Sequence, residues 1–235
     1  MTLPETATGW AAQSRSPRLS ARRAMDILCA GIAMTSLSPV FVVVAFVIWL
    51  ESGRPLLFSQ LRLGQSGEPF RIYKFRKFWP SCGSDGSPLT LQEDDRMTSV
   101  GRILAATKLD ELPQLWNVFR GDMSLVGPRP ESLSFSDCYR DGFERLLDYK
   151  PGVFGPCQVL FRHEDRMYPV DASPAEYYRK VLFPAKAKID LAYFPHRTLV
   201  SDFGWIARAA RVIAMECWAA LTRNYRSNRE REGRS

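Results

Sequence analysis

The chain has 235 residues, which is long enough for one or two domains with a sizeable hydrophobic core. Its net charge of +7 and isoelectric point near 9.3 favour an anionic partner, such as anionic lipid headgroups, a nucleotide or a nucleic acid. The five cysteines are widely spaced and never arranged as CxxC. This pattern predicts free thiols in a reducing compartment and argues against a zinc module or a disulfide scaffold.

Residues 27–50 form an apolar segment without a charged side chain. As a helix they would reach roughly 36 Å, enough to cross a hydrocarbon core of ~30 Å. Ser38 and Pro39 interrupt the middle, and basic residues flank both ends, which the positive-inside rule places in the cytoplasm. The residues alone leave two alternatives open: a spanning helix, and a helix that bends at Ser38-Pro39 and returns. At such a bend the Ser38 hydroxyl can satisfy a freed carbonyl.

The segment is too long for the apolar part of a cleaved signal peptide, and residues 1–20 are expected to form a disordered leader. We assign residues 21–51 to the membrane helix and residues 52–222 to a cytoplasmic catalytic domain at the membrane surface. The remaining residues, 223–235, are expected to be a charged, frayed tail.

The residues after the membrane segment predict an α+β domain that is mostly helical. A β-hairpin is expected around Gln65-Ser66-Gly67-Glu68, and residues 80–95 resemble a loop. Asp110 is a good N-cap for a helix with an apolar face that includes Trp116 and Phe119. Other predicted elements are helices at 96–112, 132–149, 176–193 and 203–221, and a loop with a short strand at 151–162. The last helix is amphipathic and either lies at a membrane interface or packs on the domain.

The most informative run is Thr107–Pro130, TKLDELPQLWNVFRGDMSLVGPRP. It places adjacent carboxylates, Asp110 and Glu111, at a predicted helix start, and it holds Arg129 between two prolines. An arginine fork binds phosphate oxygens, and a carboxylate either binds a metal or attacks phosphorus. The pattern indicates phosphate chemistry, and the nearby apolar segment places that chemistry at a membrane.

Five blocks of the sequence resemble, in order, the monotopic bacterial phosphoglycosyl transferases, also called the bacterial sugar transferase family. They are RRAMDILCAGIAMTSLSP, LFSQLRLGQSGEPFRIYKFR, DDRMTSVGR, LDELPQLWNVFRGDMSLVGPRPE and KPGVFGPCQV. The resemblance extends from about residue 20 to about residue 215. The fourth block is the most specific of the five, because it matches the core of the family nearly residue for residue.

The resemblance implies transfer of a sugar-1-phosphate from a nucleoside diphosphate sugar, with UDP expected, to polyprenyl phosphate. It implies a covalent phosphosugar intermediate on Asp110, with Glu111 as its partner and with Mg²⁺ as the cofactor, held by Asp110. It also implies that Arg129 binds phosphate and that the membrane segment is a re-entrant helix bent at Ser38-Pro39. The reaction would start an exopolysaccharide, capsule or other glycoconjugate at the cytoplasmic face of the bacterial inner membrane.

Three other basic side chains are candidates for contacting substrate phosphate: Arg76, Lys108 and Arg162. A structural ion pair is an equal alternative for Arg162. The chain departs from the family at Lys77, where threonine is usual, and at Ala105, where arginine is usual. The missing arginine is the more serious departure. Lys108, or Arg102 one turn earlier, could replace its charge, but neither reproduces the fork geometry of an arginine at position 105.

These departures leave a second function open, a catalytically weakened homologue that acts as a membrane-bound interaction partner in polysaccharide assembly. No helix-turn-helix, zinc or RNA-recognition signature occurs, so a nucleic-acid partner is not expected. The sequence leaves the oligomeric state open, a homo-oligomer included. Because the matching blocks begin near residue 20, we expect the minimal catalytic form of the family, without an additional multi-spanning N-terminal region.

Overall fold

The computed structural model describes residues 20–82, 89–90, 94–169 and 171–232, with side chains described as far as Glu216. Within these ranges the protein is mostly helical with two small sheets, which confirms the predicted α+β class. The helices are α1 Ala21–Ser36, α2 Ser38–Ser52, α3 Ser99–Thr107, α4 Gln114–Arg120, α5 Pro156–Leu160, α6 Pro174–Tyr177, α7 Phe183–Tyr193 and α8 Leu199–Glu232. The strands are β1 Leu57–Leu63, β2 Pro69–Phe75, β3 Ser124–Val126 and β4 Gly152–Phe154.

Helices α1 and α2 form a bent pair with an angle of 59° between them. Ser38 donates a hydrogen bond of 2.8 Å to the Thr35 carbonyl, which confirms the predicted role of its hydroxyl at the bend. Pro39 lies in the first turn of α2, where its missing N–H removes no helical hydrogen bond. Among the described residues, no single helix has the length and apolar character to cross a membrane, whereas α1 and α2 meet both criteria together.

Three residues at the start of α1 fasten the bent pair to the rest of the protein. Arg23 donates to the carbonyl oxygens of Val118 and Phe119, at 2.6 and 2.8 Å, in the last turn of α4. The buried Asp26 accepts hydrogen bonds from the Ser124 hydroxyl and from a backbone N–H of β3, while Arg22 pairs with a buried aspartate of α8. A cation at the C-terminal end of a helix also interacts favourably with the helix dipole.

The predicted hairpin is confirmed, with β1 and β2 antiparallel. Phe58 lies opposite Lys74, and Arg62 lies opposite Phe70. Directly paired residues share one face of a hairpin, and positions two apart share it as well. Arg62 and Lys74 therefore project from the same face.

The second sheet pairs β3 with β4 in parallel, with Ser124 opposite Gly152. The strands approach so closely that a Cβ on Gly127 or Gly152 would overlap the neighbouring backbone. The Gly152 N–H donates to the Pro128 carbonyl at 2.9 Å, which fixes the chain just before Arg129. This sheet thus positions the turn that carries the predicted phosphate-binding arginine.

The main core lies between the second sheet, α4, α7 and the aromatic side chains of the π-helical turn Tyr178–Leu182. Phe135 and Tyr178 pack with ring centres 4.5 Å apart in this core. A smaller core of Val44, Ile48, Phe75 and Leu104 joins α2 to the hairpin and α3. The bent pair therefore packs on the domain through apolar as well as polar contacts.

Several predicted elements differ from the structure. The helix predicted at 96–112 covers only Ser99–Thr107, and the segment 151–162 contains the helix α5 in addition to its predicted strand. Residues 132–149 form two 3₁₀ segments instead of one helix, because Asp141 and Gly142 between them adopt positive φ angles. The tail predicted to be frayed continues α8 through Glu232, since its arginines and glutamates are good helix formers and no glycine or proline interrupts them. Residues 1–19 and most of the predicted 80–95 loop lie outside the described residues.

The helix predicted at 176–193 is present and includes the π-helical turn immediately before Pro184. Pro184 has no N–H to donate to the carbonyl four residues earlier. The wider π-helical turn before it therefore breaks no regular α-helical hydrogen bond. The turn directs Tyr178 and Leu182 into the core.

We expect Gly101→Ala to destabilise the protein by about 1 to 3 kcal/mol, because the added Cβ would overlap the Lys77 carbonyl oxygen and push α3 off the hairpin. The measurement is the thermal unfolding midpoint of the purified chain. Gly204→Ala is the matched control: nothing lies near that position, so alanine should raise stability by about 0.5 to 1 kcal/mol through helix propensity. Equal effects of the two substitutions would contradict the close packing at Gly101.

Candidate active site

A cavity of about 690 Å³ opens between the hairpin, the C-terminal end of α3 and the π-helical turn. Its walls contain all the predicted catalytic and phosphate-binding residues: Arg76, Lys108, Asp110, Glu111, Arg129 and Arg162. Folding therefore brings together side chains that span almost ninety positions of the sequence. Their hydrogen bonds and ion pairs show which of these side chains are available to a ligand and which are already bound to other parts of the protein.

Asp110 lies in the 3₁₀ turn Leu109–Glu111 and not at the N-cap of α4. The prediction of an N-cap is wrong because Lys108 adopts a left-handed conformation, with φ of 60°, which ends α3 and inserts a separate turn before α4. The Asp110 side chain is buried, and its Oδ1 atom has no hydrogen-bond partner among the described residues. A buried carboxylate oxygen without a partner is costly, so this atom is suited to a ligand.

Glu111 is held by Lys74, whose ammonium donates to its carboxylate at 2.8 Å. Burial by itself would raise the pKa of Glu111, but the charges of Lys74, Lys108 and Arg129 hold the pKa well below its usual range. Glu111 therefore remains ionised. The two adjacent carboxylates differ: Glu111 is fixed by a cation, whereas Asp110 keeps a free oxygen.

Arg129 forms no hydrogen bond and no ion pair with any described residue, although it lines the cavity. Burial lowers its pKa, but Glu111, Glu164 and Glu131 more than compensate, and the pKa is raised. The guanidinium is thus charged, held between prolines, and free to donate. These are the properties that bidentate phosphate binding requires.

Arg62 is a second guanidinium of this kind, and the sequence analysis missed it. It lines the cavity, and its buried Nε atom has no partner among the described residues. Burial lowers its pKa, with Glu131 acting in the opposite direction. The period of two on the predicted hairpin could have placed Arg62 and Lys74 on one face. It could not have placed Arg62 in the same cavity as Asp110, because that arrangement is tertiary.

A buried ion cluster forms the far wall of the cavity. The Lys186 ammonium contacts the carboxylates of Glu131 and Glu164, at 3.3 and 3.0 Å, and the Tyr178 hydroxyl at 2.9 Å. Tyr168 donates to the other oxygen of Glu164 at 2.7 Å. No local sequence signal links these residues, which come from four separate segments.

Arg76 lines the cavity, but its guanidinium is engaged by backbone. It donates to the carbonyls of Ser52, Gly53, Pro55 and Phe78 and to the Ser52 hydroxyl. These contacts favour a structural role, tying the end of α2 to the hairpin, over the predicted phosphate role.

Arg162 pairs with Glu216 of α8 and donates to the Ala106 carbonyl at 3.1 Å, which favours the structural alternative left open for it. Lys108 lines the cavity next to the two carboxylates, and no described residue forms a hydrogen bond with its ammonium. Of the three additional candidates, Lys108 remains the one available to substrate.

Mg²⁺ is the metal that the family resemblance implies for this site. Among the described residues, no group of three or more histidine, cysteine, aspartate or glutamate side chains is arranged to hold a metal ion. Magnesium does not require such a cage, because it commonly binds one or two carboxylates together with substrate phosphates and water. The free Oδ1 of Asp110 fits that mode of binding.

Comparison with known proteins decides the family. The family model described as "Bacterial sugar transferase" matches residues 17–216, which include the cavity and the bent helix pair. The chain belongs to the bacterial sugar transferase family. The resemblance drawn from the five sequence blocks is thereby confirmed.

Curated relatives agree with this assignment. A UDP-N-acetylgalactosamine-undecaprenyl-phosphate N-acetylgalactosaminephosphotransferase from Aeromonas hydrophila is 35% identical over 78% of this chain and 44% of its own length. A UDP-glucose:undecaprenyl-phosphate glucose-1-phosphate transferase from Caulobacter vibrioides is 42% identical over 59% of this chain and 53% of its own length. An undecaprenyl-phosphate galactose phosphotransferase from Salmonella typhimurium is 31% identical over 82% of this chain and 40% of its own length. The chain thus spans about half the length of these relatives.

We expect Lys186→Met to lower the stability of the protein by about 3 to 5 kcal/mol, because it leaves the Glu131 and Glu164 carboxylates without their shared cation. Thermal unfolding of the purified chain measures the effect. The matched control is Lys180→Met, which removes an exposed ion pair with Glu176 and should cost less than about 1 kcal/mol. A small, equal shift for both variants would show that the cluster is not held by charge.

Proposed function

We propose that this protein transfers a sugar-1-phosphate from a nucleoside diphosphate sugar, with UDP expected, to polyprenyl phosphate. The observation that carries the proposal is the pairing in one cavity of the buried Asp110 and Arg129. Within the described part of the chain, the Oδ1 of Asp110 and the guanidinium of Arg129 have no hydrogen-bond partner. Membership of the bacterial sugar transferase family and the printed names of the relatives support the same reaction. The product would start an exopolysaccharide or capsule glycan.

The reaction consists of two displacements at one phosphorus atom. An Asp110 carboxylate oxygen attacks the sugar-bearing phosphorus of the donor, and the phosphoanhydride bond breaks, so that nucleoside monophosphate leaves with the bridging oxygen. An oxygen of polyprenyl phosphate then attacks the phosphorus of the acyl phosphate and releases the Asp110 carboxylate. Two steps suit a cavity that receives one water-soluble and one lipid-bound substrate in turn.

The cavity's own side chains position and neutralise the diphosphate. Arg129 and Arg62 offer unpaired guanidinium donors for phosphate oxygens. Glu111 stays ionised beside Lys74 and serves as a fixed hydrogen-bond acceptor next to the nucleophile. Mg²⁺, when bound at the free oxygen of Asp110, would neutralise charge on the diphosphate and on the leaving nucleotide.

We further propose that the bent pair α1–α2 is a re-entrant membrane helix and that the cavity faces the cytoplasm. The apolar side chains of the pair are largely exposed in the structure, Val42, Val43 and Leu50 among them. Trp116 and Phe119 of α4 are also partly exposed and stack with ring centres 6.0 Å apart, which suits a membrane interface. Exposed apolar surface of this kind is typical of a membrane-contact site.

The central test is the release of nucleoside monophosphate by membranes carrying this protein, supplied with polyprenyl phosphate, Mg²⁺ and a panel of UDP-sugars. We expect release with a particular sugar for the natural chain and none for Asp110→Asn, since the amide is a poor nucleophile. Asp141→Asn is the matched control, because its carboxylate is 86% exposed and does not line the cavity. Normal release by Asp110→Asn would overturn the proposal and favour an interaction partner with a degenerate site.

The covalent step has its own readout. Labelled UMP should exchange into the accepted UDP-sugar when polyprenyl phosphate is absent, because formation of the acyl phosphate is reversible. A direct, single-displacement transfer predicts no exchange without the lipid acceptor.

We expect Arg129→Lys to lower kcat/KM for the nucleotide sugar by about 10- to 100-fold, because lysine keeps the charge but loses the two parallel donors. Steady-state kinetics of nucleotide release measures this effect. Arg140→Lys is the control, since that side chain is 75% exposed. Unchanged kinetics for Arg129→Lys would show that the fork does not contact substrate.

A further inference from the structure

Lys77 is a cation of the cavity wall that the proposed reaction has not yet used. It follows β2 directly and is partly buried. Its ammonium donates one hydrogen bond, to the Thr90 hydroxyl at 3.1 Å, and lies 5.2 Å from the ring centre of Phe78. An ammonium has three donors, so two of them have no acceptor among the described residues.

The neighbouring lysines of the cavity are engaged in a different way. Lys74 is paired with Glu111, and Lys186 is shared between two carboxylates and a tyrosine hydroxyl. Lys77 forms no ion pair with any described residue, although Asp110 is the largest of the charges that act on it. Charge without a paired carboxylate, at the wall of a cavity, is suited to an anionic ligand.

The backbone at Lys77 is held rigidly. Its carbonyl accepts a hydrogen bond of 3.0 Å from the Thr98 N–H, just before α3. The same carbonyl packs so closely on Gly101 that a Cβ at that position would overlap it unless the backbone shifted. The ammonium is therefore attached to a fixed point, which reduces the entropy lost when it binds a ligand.

Lys77 lines the same cavity as the C-terminal half of α3. Ala105 lies one helical turn after Gly101 and lines the same cavity. Ala105 contributes no charge to the cavity, whereas Lys77 contributes a positive charge from the end of the hairpin. The two positions at which the sequence departs from the family are thus parts of one surface.

Lys77 and Arg129 also enter the cavity from different elements. Lys77 comes from the segment after β2, and Arg129 comes from the turn after β3. A diphosphate has two phosphate groups that need separate cations. We propose that Lys77 binds one phosphate group of the donor's diphosphate, while Arg129 binds the other; this assignment rests on the proposed function.

The test is isothermal titration of the purified full chain with uridine diphosphate in the presence of Mg²⁺ at pH 7. We expect Lys77→Met, which keeps the length of the side chain and removes its charge, to raise Kd by about 10- to 100-fold. Lys77→Arg should restore most of the affinity, and Lys180→Met, at an exposed lysine, should leave Kd unchanged. Thermal unfolding midpoints of all variants verify that they are folded.

The pH dependence of the same titration supplies a second readout. Burial lowers the pKa of Lys77 to about 8; Asp110 and Glu111 act to raise it, and Lys74 and Lys108 act to lower it. The protonated ammonium therefore binds below that value, and affinity should fall by about tenfold between pH 7 and pH 9 as the proton is lost. Lys77→Arg stays charged and should not show this decrease.

Several outcomes would overturn the assignment. These are natural affinity in Lys77→Met, equally weak binding by Lys77→Met and Lys77→Arg, and no binding of uridine diphosphate by the natural chain. Failure of the proposed function gives a different result: the natural chain binds uridine diphosphate through Lys77 but releases no UMP from any UDP-sugar.

Discussion

The structure depends on the polar attachment of α1 to the segment that carries the site. Arg23 closes the C-terminal end of α4, and Asp26 binds the first residues of β3. Both elements belong to the run Thr107–Pro130, which supplies Asp110 and Arg129. Buried hydrogen bonds to charged groups are costly to break. These contacts therefore fix the position of the cavity relative to the apolar bent pair. In the proposed reaction, these contacts would set the depth at which a lipid-bound phosphate meets Asp110.

The charges of the cavity separate into two groups. Those that maintain the fold are mutually satisfied, such as Lys186 with Glu131 and Glu164, or Arg76 with backbone carbonyls. Arg62 and Arg129 line the same cavity as Asp110, and their guanidinium groups have no hydrogen-bond partner among the described residues. Such a division is expected of a binding site. Burying an unpaired charge costs free energy unless a ligand of opposite charge pairs with it.

Much of the site could be predicted because its chemistry is concentrated in one short stretch. Asp110, Glu111 and Arg129 lie within twenty residues of each other, and the turn residues around them are distinctive. Arg62 and Lys186 could not be found in this way, since a lone arginine on a strand or a lysine on a helix is ordinarily a solvated side chain. Likewise, the exclusion of Arg162 from the open donors depends on Glu216, which comes from a different helix.

The sequence by itself determined the family, the hairpin and the identity of the adjacent carboxylates. It also located Ser38-Pro39 as the position of a bend, but it left a straight spanning helix open. Each of these follows from local patterns, such as the period of two in strands, the missing N–H of proline and the order of the five sequence blocks. Only the tertiary structure decided which charged groups are satisfied and which are open. That distinction depends on distances between segments far apart in the chain, and a difference of a few ångströms determines whether a lysine such as Lys77 is paired or free to bind a ligand.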